Sequence, residues 1–196
     1  VADDGAWRHH RDDIFAMRPR RLAYQQLFHG GKPLTHVQVA SWSQDVPHLE
    51  PLQWTLTRGH IFFRPEEDRL PESYALRHAG VTTGVSLYNT HHVVVRNLVV
   101  QGFHTDGIHA TDTVRHCRLE NVESRANGRS GIAVGGASKV EIADSHVYDN
   151  GRVQLLVEGY AEVRVRNTDL DDEADMASPH EVRGGMLEID GEVFGP

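Results

Sequence analysis

At 196 residues the chain is long enough for one ordinary domain, or for one solenoid with an appended module. Its 28 acidic and 20 basic side chains leave a formal charge of −8 with no basic run, which excludes nucleic acid as a main partner because phosphate binding needs clustered Lys and Arg. No apolar run approaches the length of a membrane span, and the single Cys117 excludes intrachain disulfides and a cysteine-rich metal site.

The chain opens at Val1 with no charged-then-apolar segment, the expectation for a chain whose leader has been removed or for a piece of a longer protein. Within residues 1–80, Gln53 to Thr57, the Arg58-Gly59 pair and His60 to Phe63 predict a β-hairpin. Leu27 to His29, Gly30-Gly31-Lys32 and Leu34 to Val39 predict a second. Prolines at 19, 33, 47, 51, 65 and 71 interrupt any long helix. This part is expected to be a β-rich N-terminal cap over the open end of a repetitive segment that begins near residue 81.

From residue 81 to 175 the chain repeats itself. Val85, Ile108, Ile132 and Leu155 are separated by 23, 24 and 23 residues, and Val93, Cys117, Val140 and Val163 by 24, 23 and 23. Within each copy apolar residues alternate, as in Val140, Ile142 and then Asp144, which is strand patterning. No copy holds a helical stripe, so successive copies are expected to stack in parallel as coils of three short strands. Cys117 falls in an inward column with three valines and reads as a buried apolar residue.

Asn97, Asn121, Asp144 and Asn167 keep the same period. Placed inward at the bend between two strands, they would form a hydrogen-bonded ladder from coil to coil. Asn127-Gly128 and Asn150-Gly151, 23 residues apart, mark a second corner as a turn. After Asp175 the pattern lapses, and residues 176–196 read as a C-terminal capping segment with a strand pair in 186–194.

These copies, with Gly-Ile-x-Val, then Val-x-Ile-x-Asn/Asp, then Asn-Gly, resemble the repeat of the pectate-lyase-like superfamily over about residues 82–170. More narrowly they resemble right-handed β-helix repeat proteins associated with carbohydrate binding and sugar hydrolysis. Trp54 to Pro65 is similar to the hairpin before the β-helix in large secreted glycosidase-like proteins of that superfamily. The resemblance implies an all-β fold, a short right-handed parallel β-helix of about four coils, and a secreted or periplasmic location.

His104 to His109, HisThrAspGlyIleHis, resembles the Asn-Thr-Asp-Gly-Ile-Asp motif of polygalacturonases, with Asp106 in the place of a catalytic aspartate. Those enzymes carry paired aspartates one coil later, where this chain has Arg129 and Ser130. Their later Gly-His-Gly and Arg-x-Lys motifs are also missing, which disfavours that chemistry.

Stacking puts Thr105, Arg129 and Arg152 in one surface column, beside Asp106, Ser130 and Val153. A carboxylate beside arginines suits an acidic sugar, gripped through Arg129 and Arg152 with His104, His109 and Asp112 near the same corner. Asp106 and Asp149 are the candidate acid/base pair for a polysaccharide hydrolase or lyase. His91, His92, His104, His109 and His116 crowd 26 residues but match no zinc spacing, so a surface cluster without metal is expected, and no cofactor. Two readings stand side by side. One is a carbohydrate-active protein that binds or cleaves a polysaccharide or oligosaccharide along a lateral face. The other is a non-catalytic binding or scaffold module, as part of a larger extracellular protein.

Overall fold

The computed structural model describes residues 7–39, 45–171 and 177–195. The chain divides into two compact units, residues 1–80 and 81–196. In the first, β1 (Arg8–Arg11), β2 (Ile14–Met17), β5 (Trp54–Thr57) and β6 (His60–Phe63) form an antiparallel sheet in the order β1-β2-β6-β5. A smaller sheet joins β3 (Leu27–His29), β4 (Lys32–Pro33) and β7 (Arg77–His78). Both hairpins turn where the sequence places them, at Arg58-Gly59 and at Gly30-Gly31, with positive φ at all four residues. The second arm of the β3–β4 hairpin is only two residues long, because Pro33 removes a ladder donor. Trp54, Ile61, Phe63, Leu27 and Tyr74 pack as the core of this unit.

The second unit is a parallel β-solenoid. One face is a five-stranded sheet made of β8 (Thr83–Tyr88), β10 (Asp106–Thr111), β12 (Ser130–Val134), β15 (Val153–Glu158) and β18 (Ser178–Arg183). The other wall begins as two long bent strands, β9 (Val94–Gln101) and β11 (Cys117–Arg125). In later coils each divides in two, as β13 (Lys139–Ala143) with β14 (His146–Tyr148) and β16 (Glu162–Arg166) with β17 (Asp169–Leu170). The periodic columns meet in register: Val85, Ile108, Ile132 and Leu155 are successive parallel partners, as are Cys117, Val140 and Val163. Ile108, Ile132 and Leu155 are fully buried, and each such side chain contributes roughly 1.5–3 kcal/mol of apolar burial.

The solenoid extends past Asp175. β18 continues the first face beside β15, and β19 (Met186–Ile189) continues the second beside β16, so residues 178–194 carry a fifth coil as well as the closing strand pair. The apolar period fades there because His180 and Glu181 stand where earlier coils place Leu155 and Leu156, although the backbone ladder runs on unchanged. β20 (Glu192–Phe194) then pairs antiparallel with β19, which ends that sheet with a hairpin.

The two Asn columns exchange roles relative to the sequence expectation. Asn97, Asn121, Asp144 and Asn167 adopt left-handed φ values of 57°, 48°, 51° and 45°, and their side chains are exposed on the outer surface. Asn and Asp tolerate this conformation better than other residues with a Cβ, and it turns the side chain out of the bend. The inside of the bend is satisfied instead by hydroxyls, as Ser145 Oγ accepts from Val122 N at 3.1 Å and Thr168 Oγ1 from Ser145 N at 3.3 Å. The dry ladder is the other column. Asn127 and Asn150 are fully buried, and Asn127 Nδ2 donates to Asn150 Oδ1 at 3.0 Å. Gly107 and Gly131 leave room for them, since a Cβ there would lie 2.7 Å from the amide nitrogens of Asn127 and Asn150 respectively.

Candidate functional site

The corner that opens β10 and β12 gathers the first group of candidate residues. Backbone hydrogen bonds from Arg129 N to Thr105 O and from Arg152 N to Arg129 O stack Thr105, Arg129 and Arg152 in one column. Asp106, Ser130 and Val153 are register partners beside it. Asp106 is only 1% exposed. Arg129 grips it bidentately, Nε donating to Oδ1 at 2.8 Å and Nη2 to Oδ2 at 2.7 Å. Ser130 Oγ donates to Oδ1 at 2.6 Å, and His109 Nδ1 lies 3.6 Å from Oδ2. Both carboxylate oxygens are therefore committed inside the protein.

Arg129 continues into a charge chain across the outer face. Its Nη1 lies 3.8 Å from Glu158, Glu158 pairs with Arg183 at 3.3 Å, and Arg183 with Glu181 at 2.7 Å. Arg152 closes the chain, with Nε 3.5 Å from Glu181. The Arg183 hydrogen bond holds the Glu181 carboxyl below the usual carboxylate range. Arg129 and Arg152, the residues expected to grip an acidic sugar, are thus each paired with carboxylates of the protein itself.

The remaining candidates lie elsewhere. Asp149 is exposed at a left-handed corner (φ 52°), where its charge acts on Arg125. Of the expected Asp106–Asp149 acid/base pair, Asp106 is thus buried in an ion pair and Asp149 lies at an exposed corner. Asp112 is likewise an exposed corner residue (φ 68°), in the column that later coils fill with Gly136 and Gly159. His104 is buried with Nδ1 3.2 Å from Thr105 Oγ1. Of the five clustered histidines, His92 and His116 stack face to face at 4.8 Å, and no group of three or more metal-ligating side chains converges among the described residues.

A further open feature lies away from the Asp106–Arg129 pair. An outer groove of about 780 Å³ follows the left-handed bend through every coil. Its floor is the exposed column Asn97, Asn121, Asp144, Asn167 and Asp190, and beside it run Val99, Glu123, His146 and Asp169. Asn121 Nδ2 donates to Asn97 Oδ1 at 2.8 Å, Asn167 Nδ2 to Asp144 Oδ1 at 2.7 Å, and Asn167 N to Asp190 Oδ1 at 3.0 Å. His146 is held 3.3 Å from Asp169 and stacks on Tyr148 at 4.1 Å. Tyr148 donates its hydroxyl to Glu123 at 2.5 Å and accepts from Arg125 at 2.6 Å, and burial with the Glu123 bond raises its phenol above the usual range. The period of the Asn/Asp column was the available signal for this groove, but it reads equally as an inward ladder until φ is known.

Comparison with known proteins adds one match: the family model for a right handed beta helix region covers residues 83–178. The solenoid is a right-handed parallel β-helix. No curated protein and no solved structure matches the chain. None of its described helices is long and apolar enough to cross a membrane. Two of the lateral surfaces of the β-helix differ in chemistry. The Asp106–Arg129 face is knitted closed by its own ion pairs. The bend groove is open and offers amide donors and carboxylate acceptors repeated once per coil, an arrangement that can hydrogen-bond a chain of hydroxyl groups.

Proposed function

We propose that the protein is a non-catalytic β-helix module that binds a saccharide chain in the bend groove. The observation that carries this reading is the groove of about 780 Å³ floored by the outward Asn/Asp column. Its side chains hydrogen-bond one another along the column, so ordering them on binding costs little further side-chain entropy. Cleavage is disfavoured because a general acid or base must reach the bond it acts on, and Asp106 has both oxygens engaged and almost no exposure. The repeat pattern supports a pectate-lyase-like relationship for this module, and a secreted or periplasmic location goes with that reading.

The test is to titrate the protein with a panel of polysaccharides while assaying reducing ends and unsaturated products. Binding without product release is expected, weakened by Asn121→Gly, which removes one amide yet keeps a residue that accepts positive φ. Product formation abolished by Asp106→Asn would replace this reading with a catalytic one. Lack of binding to every polymer would leave a scaffold.

A further inference from the structure

Resting on the saccharide-binding reading of the bend groove, we infer that its ligand is an uncharged, hydroxyl-rich polysaccharide lying parallel to the solenoid axis, with one sugar unit per coil. The charge of the lining selects against acidic polymers. Glu123, Asp144, Asp169 and Asp190 line the groove, and among the described residues no arginine or lysine does. A uronate carboxylate only accepts hydrogen bonds and would face these carboxylates with His146, already held by Asp169 at 3.3 Å, as the one side chain of the lining able to carry a positive charge. A sugar hydroxyl both donates and accepts, so it matches a column that mixes the amides of Asn97, Asn121 and Asn167 with the carboxylates of Asp144 and Asp190.

The direction follows from periodicity. Parallel coils advance by about 4.8 Å, which is close to the advance of one pyranose in an extended glycan, so equivalent groups on protein and ligand stay in step. The column has five positions, from Asn97 to Asp190, and so spans roughly 19 Å, enough for about five sugars. The amides are aimed in advance. Asn121 and Asn167 each spend one N–H on the neighbouring column member, at 2.8 Å and 2.7 Å, which fixes the amide plane and leaves the second N–H for a ligand oxygen.

The experiment is calorimetry with neutral and uronate oligosaccharides of increasing length, at low and at physiological salt, on the intact chain. Neutral oligosaccharides should gain affinity up to about five sugars and then level off. Uronates should bind at least about tenfold more weakly, a gap that narrows as salt is added. Asp144→Asn combined with Asp190→Asn should raise uronate affinity, whereas Asn121→Gly should weaken neutral binding about fivefold, the value of one hydrogen bond. Unchanged melting temperatures would show that both variants keep the fold. Uronate binding as tight as neutral binding overturns this inference and leaves the saccharide module standing. Affinity independent of ligand length overturns the axial arrangement in the same way. Absence of binding to any oligosaccharide overturns the inference together with the reading beneath it.

Discussion

Asn127→Ala tests where the structural ladder of the β-helix lies. Asn127 Oδ1 accepts from Phe103 N at 3.1 Å, and its Nδ2 donates to Val100 O, Ser124 Oγ and Asn150 Oδ1 at 3.3, 3.2 and 3.0 Å. The side chain is fully buried, so water does not replace these partners. Truncation orphans the Phe103 N–H and weakens three acceptors. At about 1–3 kcal/mol for each buried group left unsatisfied, a loss of about 3–5 kcal/mol is expected. With a urea slope of about 2 kcal/mol per molar, the midpoint should fall by roughly 1.5–2.5 M. Asn121→Gly, on the exposed column with φ 48°, should cost under about 1 kcal/mol. The measurement is urea denaturation followed by circular dichroism, with slopes compared to confirm two-state behaviour. Equal midpoints for the two variants, or a larger loss at Asn121, would refute the assignment of the dry ladder to the Asn127 column.

Three further outcomes are expected. Asp106→Asn should destabilise by roughly 1–3 kcal/mol, because it removes the charge that Arg129 grips at 2.7 Å and leaves the guanidinium with Glu158 at 3.8 Å, yet leave saccharide binding in the groove unchanged; loss of binding at full stability would contradict the separation of the two faces. Gly131→Ala should cost about 1–3 kcal/mol, since its Cβ would lie 2.2 Å from Val147 Cγ1, whereas Gly135→Ala, with its nearest atom 3.5 Å away, should stay within about 0.5 kcal/mol; thermal melts separate them. His36, half-buried and stacked on Trp54 at 4.2 Å, has its pKa lowered by burial from 6.5 to about 4. Above pH 6.5 both folded and unfolded forms are neutral; as pH falls from 6.5 to about 4 only the unfolded chain takes the proton, so stability drops by up to about 3 kcal/mol. His36→Phe should remove that part of the pH slope, and an identical slope in both proteins would count against it.

The repeat was legible in the sequence because a parallel coil presents the same face to the same neighbours at every turn. Val85, Ile108, Ile132 and Leu155 had to be apolar at a fixed period, whatever the surrounding geometry, and the register partners agree residue by residue. The Arg129–Asp106 neighbourhood was legible for the same reason, since residues one period apart are brought side by side. The Gly107 and Gly131 positions opposite Asn127 and Asn150 also carried a signal, as only a residue without Cβ leaves space for an inward amide. The end of the solenoid was less legible, because polar side chains replace the apolar period in β18 while the ladder there is made by backbone groups that any sequence carries.

What tertiary structure alone decided is the direction in which each polar side chain points. Period identifies a column but not its face, and for Asn121 the face depends on one left-handed φ of 48° that turns the amide into solvent. Whether Asp106 is an available acid or a buried anchor likewise depends on where the Arg129 guanidinium comes to rest, and it rests across both carboxylate oxygens. Composition and spacing set which residues become neighbours. Burial and backbone dihedrals then decide which of those neighbours face each other and which face a ligand.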